Sequence, residues 1–138
     1  MTGYEMFWPL VAQTVLVFIL YGLLSLRRSA AMKSGRAKME QFRENRDEPA
    51  ESLVVRNAIA NQFELPVLFY VVSIVLFMTQ ADNLPAVALA WFFVAMRYGH
   101  AYVHVTSNNL RYRSPLFALS FLALVGLWVW LAVWLAFS

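Results

Sequence analysis

A chain of 138 residues that is 61% hydrophobic and 14% charged carries far fewer charges than the roughly 25% of an ordinary soluble domain. Eight of its eleven Lys and Arg and five of its eight Asp and Glu fall between Arg27 and Arg56, leaving long apolar runs elsewhere. With no cysteine, disulfides, cysteine-bound metals and cysteine nucleophiles are excluded, and a net charge of +3 gives no basis for nucleic-acid binding. This is the composition of an integral membrane protein, all-α in class.

The first apolar run, Met6 to Leu26, ends abruptly at Arg27 and Arg28. No basic n-region precedes it and no small-residue cleavage site follows, so a retained span is expected and not a cleaved signal peptide. Within the loop from 27 to 52, MKSGRAKMEQFRENRDEP (32–49) alternates in charge and reads as a solvated helical extension with a turn at Asp47–Pro49, a lipid-headgroup role being the alternative. A second run goes from Leu53 to Met78, and QADNLP (80–85) is a turn whose proline suits the start of a helix. The third run covers Pro85 to Val105. After SNNLRYRSP (107–115), the fourth covers Leu116 to Phe137. Each is long enough for the ~20 residues of a span, so a single domain is expected, with spans at about 6–26, 53–78, 85–105 and 116–137. The expected architecture is a four-helix bundle running up-down-up-down.

Basic residues assign the sides. Loop one (27–52) holds Arg27, Arg28, Lys33, Arg36, Lys38, Arg43 and Arg46, and loop three holds Arg111 and Arg113. The N-terminus, loop two and the C-terminus hold no Lys or Arg, so loops one and three are expected in the cytoplasm and both termini outside. Trp8, Trp128, Trp130 and Trp134 then read as anchors at the outer interface.

The unusual stretch is RNAIANQFELPVLF (56–69), which brings polar groups into an apolar run. At ~100° per residue, with Asn57 at zero, Asn61 lies near about 40° and Glu64 near about −20°, on one narrow face. On the third helix, with Arg97 at zero, His100 lies near about −60° and His104 near about −20°. Tyr98 and Tyr102, near about 100° and 140°, are off that face and read as packing or as a second wall at a subunit boundary. Both polar stripes sit toward the cytoplasmic ends of their helices. Two readings stay open. One is a buried network in which Glu64 pairs with Arg97 or Arg56 and fixes helix packing, each contact contributing about 0.6–2 kcal/mol. The other is a polar pocket for a negatively charged ligand, because ionisable groups inside spans are rare and the local charge is positive. His100 and His104 have i, i+4 spacing that could present two imidazoles to one metal ion, with Glu64 as a third ligand. The nearby arginines disfavour a cation, so no metal is expected.

These residues also carry a resemblance. Four short spans, a charged first loop, N-x-x-E-x-P at Asn61, Glu64 and Pro66, and R-x-x-H at Arg97 and His100 resemble the MAPEG family, membrane-associated proteins in eicosanoid and glutathione metabolism. The resemblance covers nearly the whole chain and is nearest to bacterial members, which implies an inner-membrane location. It implies a homotrimer that holds glutathione between subunits near the cytoplasmic face, with Arg56, Asn57, Asn61, Glu64, Arg97 and His100 as binding positions and Tyr98 and Tyr102 as a possible second wall. Arg113 falls at the thiol-activating arginine when counted from His100; Arg111 does so when counted from Tyr102. Two positions depart from the pattern: Asn57 stands where a basic residue is usual, and His104 stands where several members have tyrosine. The implied activity is a glutathione-dependent transferase or peroxidase acting on hydrophobic electrophiles or lipid hydroperoxides taken from the bilayer. The alternative is a non-enzymatic trimeric membrane protein that binds lipid or a partner complex.

Overall fold

The computed structural model describes residues 3–138 and, among them, is helical without strands. The elements are α1 (Phe7–Lys33), α2 (Met39–Arg43), α3 (Ala50–Gln62), α4 (Leu65–Met78), α5 (Leu84–Val105) and α6 (Leu110–Ala136). Three stretches are long and apolar enough to cross a membrane: α1, the α3–α4 pair from Ala50 to Met78, and α6. Helix α5 matches the expected third run in length but carries Arg97, His100 and His104, all buried.

Several boundaries differ from expectation, each for a local reason. The second run is two helices, not one, with the break at Phe63–Glu64. Pro66 has no N–H to donate and its ring crowds the carbonyl four residues earlier, so the α-helical ladder cannot continue. Shorter bonds replace it: the N–H groups of Phe63, Glu64 and Val67 donate to Ala60, Asn61 and Glu64 at 3.1–3.2 Å. In lipid such re-satisfaction is required, since no water is there to take the freed groups. Helix α6 starts at Leu110, not 116, because Asn109 caps it by accepting from the Arg111 N–H at 3.0 Å, and Pro115 is absorbed one turn in. Helix α5 starts as expected at the loop-two proline, capped by Asn83 accepting from Ala86 N–H at 3.1 Å.

Two apolar clusters form the core. One joins Phe69, Val72 and Leu76 of α4 to Phe93 of α5 and Leu127 of α6, with the Phe69 and Phe93 rings stacked at 4.4 Å. The other joins Leu16, Leu20 and Leu24 of α1 to Val55 and Ile59 of α3 and Ala101 of α5. A polar layer falls between them along each helix: Gln62 lies between Ile59 and Phe69, and Arg97 between Val94 and Ala101. Close approach of α5 and α6 depends on small residues. A Cβ at Gly126 would meet Leu89 Cδ2 at 2.9 Å, and one at Gly99 would meet Leu116 at 3.3 Å.

The tryptophans at the loop-two end are more than anchors. Trp130 Nε1 donates to Ala81 O at 2.8 Å and Trp134 Nε1 to Thr79 O at 2.9 Å, tying the α4–α5 turn to α6.

At the opposite end, loop one is folded around Glu48, whose side chain is only 3% exposed. Arg28 grips it with two bonds, Nε at 2.9 Å and Nη2 at 2.6 Å, and stacks over Phe42 at 4.9 Å. Ser52 Oγ also donates to it, and Arg56 Nη1 lies 3.6 Å away. The Arg28 hydrogen bond, outweighing burial, holds the Glu48 carboxyl below its ordinary value. A depressed carboxyl pKa contributes stability that is present above the unfolded value and lost as pH falls through the folded one. Glu48→Ala should therefore cost ~1.5–3 kcal/mol, the scale of hydrogen bonds to charged groups. Trypsin at neutral pH should cut at Arg43 and Arg46 faster in this variant than in the wild type. Equal cleavage rates would show that Glu48 does not hold the loop.

Candidate functional site

The helix break gives the site its geometry. Because α3 ends at Gln62, Asn61 sits in the last turn of a helix and Glu64 in the hinge that follows. The Asn61 amide uses both its faces: Nδ2 donates to Glu64 Oε1 at 3.2 Å, and Oδ1 accepts from Arg97 Nη2. Arg97 is fully buried. Its Nε and Nη1 have no hydrogen-bond partner among the described residues. Glu64 lies within electrostatic reach of it, yet among the described residues no carboxylate is within ion-pairing distance. A desolvated cation with a single neutral acceptor is under-compensated, a state that costs several kcal/mol unless something else supplies charge or hydrogen bonds.

The expected Glu64 ion pair is therefore not formed. The carboxylate is exposed at the surface of the single chain and reaches Arg97 only through Asn61. Helical angle told which residues share a face but not that this face turns outward: Asn57 is exposed too, and Asn61 is half-buried. Arg56, the other expected partner, is taken by Glu48.

Next to Asn61 opens a cavity of about 300 Å³ lined by Asn61, His100, His104, Arg113, Ser114 and Phe117. The two histidines are 3% and 7% exposed, their rings 5.8 Å apart, and Phe117 lies 5.9 Å from His100. Both Nδ1 atoms are buried without a partner among the described residues. Arg113 stands at the rim, with Nη1 donating to Asn108 Oδ1 at 2.7 Å, while Arg111 is exposed and does not line the cavity. No third metal-ligating side chain joins the histidines among the described residues.

Of the sequence-selected residues, the chain thus gathers Asn61, His100, His104 and Arg113 around one cavity, with Arg97 and Glu64 behind it. Tyr98 and Tyr102 lie elsewhere: Tyr98 OH donates to Ala12 O at 2.6 Å, and both line an apolar groove between α1 and α5. Asn57, Arg56 and Arg111 also stand apart from the cavity within one chain.

Sequence reading passed over Gln13 and Gln62. They are 0% and 1% exposed, and Gln13 Nε2 donates to Gln62 Oε1 at 2.8 Å, bonding α1 to α3 within the polar layer between the two apolar clusters. A lone glutamine in the first apolar run was the available signal, by the same logic that singled out Asn61.

The site can take an anion. It offers unpaired guanidinium N–H groups, two imidazoles and a second arginine, next to a carboxylate that can receive an ammonium. No curated protein and no solved structure matches the chain. The model of the MAPEG family matches residues 6–133. From the apolar spans and this match, the chain is an integral membrane protein that belongs to the MAPEG family.

Proposed function

We propose that this protein is a glutathione-dependent membrane enzyme, a transferase or peroxidase acting on hydrophobic electrophiles or lipid hydroperoxides. The observation that carries the reading is a cavity lined by Asn61, His100, His104 and Arg113, with the buried Arg97 bonded to Asn61 and its Nε and Nη1 unpartnered among the described residues. Glutathione brings two carboxylates, an ammonium and a thiol of ordinary pKa ~8.5. Arg97 supplies charge-assisted hydrogen bonds to a carboxylate. Asn61 holds Arg97 in place and relays it to Glu64, which receives the ammonium. Arg113 stabilises the thiolate, the form of the sulfur that attacks, and His104 stands beside it. Family membership supports the choice of glutathione over another anion.

The working form is a homotrimer. Asn57 and Glu64 are exposed on a membrane-crossing stretch of a single chain, where polar surface facing lipid is costly; a neighbouring copy that covers them would also supply the site's missing wall. Helix α5 crosses as the third of four spans, its charged groups turned inward. Loops one and three lie in the cytoplasm of a bacterial inner membrane, with both termini outside.

Orientation has a direct check. A cysteine introduced by Ser34→Cys or Ser107→Cys should react with an impermeant maleimide only from the cytoplasmic side, and Asp82→Cys only from outside. Labelling of Asp82→Cys from the cytoplasm would refute the orientation. For the activity, purified protein should conjugate a generic aryl halide in a glutathione-dependent manner. Glutathione binding without any turnover would favour the non-enzymatic reading.

A further inference from the structure

Two cavities at the loop-one end of the bundle adjoin. The apolar groove between α1 and α5, about 350 Å³, and a cavity at the membrane-surface end, about 610 Å³, share Arg27, Val105 and Thr106 in their walls. On α1 the apolar wall is Leu16, Ile19, Leu20 and Leu23, a helical stripe that ends in Arg27 on the same face. From Leu16 to Arg27 it extends ~16 Å at 1.5 Å per residue.

The mouth is charged and incompletely compensated. Its ionic groups are Arg27, Arg36 and Glu51. The Glu51 carboxylate is engaged by Arg36, and Arg27 donates only to the Glu51 backbone carbonyl at 2.7 Å. The nearby Glu48 is held by Arg28 and Arg56. One positive charge is thus left at the head of an apolar groove, at the depth where a lipid headgroup meets its chains. Basic pockets between membrane helices beside a leaflet are suited to anionic headgroups.

We propose that this pair of cavities binds an anionic phospholipid, with an acyl chain along Leu16, Leu20 and Leu23 and the phosphate at Arg27. The site is separate from the Asn61–Arg113 cavity and does not depend on the glutathione reading.

The test uses the full chain in nanodiscs of equimolar phosphatidylglycerol and phosphatidylcholine, with co-purifying lipid and oligomer mass read by native mass spectrometry. The wild type should retain phosphatidylglycerol in preference by about fivefold, the equivalent of the ~1 kcal/mol of one surface arginine. Arg27→Gln should abolish the preference and Arg27→Lys should keep it. Ile19→Trp, which fills the groove from its open side, should lose retained lipid of both kinds at unchanged oligomer mass. Equal retention of the two lipids by the wild type would overturn the proposal, as would an undiminished preference in Arg27→Gln. A change of oligomer mass in Ile19→Trp would overturn it as well, since a second copy would then be what covers the groove.

Discussion

Replacement of Asn61 by leucine is expected to destabilise the protein by ~1.5–3 kcal/mol, the scale of a hydrogen bond to a charged group. Arg97 is fully buried, and among the described residues the Asn61 amide oxygen is its one hydrogen-bond acceptor. A leucine of similar size fills the space but leaves the guanidinium uncompensated. Arg97→Met should do the reverse. Removing a buried ion in favour of an apolar side chain of similar length is commonly neutral or stabilising, so this variant should melt at or above the wild-type temperature in detergent while losing ligand affinity. The double variant should recover most of what Asn61→Leu loses, because the two residues act as one unit. Wild-type melting of Asn61→Leu would show that Arg97 draws its compensation from elsewhere, and the Asn61 relay would have to be abandoned.

Arg113→Ala should separate binding from activation. A hydrogen bond from a charged donor contributes ~1.5–3 kcal/mol, and 1.36 kcal/mol corresponds to one pKa unit. Loss of the guanidinium beside the sulfur should therefore raise the bound thiol's pKa by about one to two units. Turnover near neutral pH should fall ~10–100-fold with it. Affinity should change little, because the carboxylate contact belongs to Arg97. The readouts are thiolate absorbance of the bound state and the pH profile of conjugation. Arg111→Ala should behave as wild type, since Arg111 is exposed and outside the cavity. If both variants form thiolate normally, neither arginine activates the sulfur.

Much of this site was readable because ionisable groups stand out against apolar runs. Asn61, Arg97, His100 and His104 interrupt such runs at helical spacing, whereas Arg113 was singled out by the family resemblance alone. Three features were not readable from periodicity. Angle along a helix defines a face but not what that face meets, so Glu64 was expected to pair with Arg97 when Asn61 in fact stands between them. The loop from 27 to 52 has no period, and its folding about Glu48, which removes Arg56 from the pocket, depends on side-chain contacts distant in sequence. The fourth run was read from Leu116, after Pro115, but Asn109 caps α6 earlier and places Arg111 and Arg113 in its first turns. Pro66 was legible as an interruption of the second run, but not that it divides the span into two helices and sets Glu64 in the hinge.

The central claim is that the cavity bounded by Asn61, His100, His104 and Arg113, with Arg97 behind it, binds glutathione. Calorimetric titration of the purified full chain with reduced glutathione tests it most directly. Saturable binding below millimolar concentration is predicted, weakened about 10–100-fold by Arg97→Met as a charge-assisted contact of ~1.5–3 kcal/mol requires. No heat of binding at millimolar glutathione from a correctly assembled wild-type protein would contradict it.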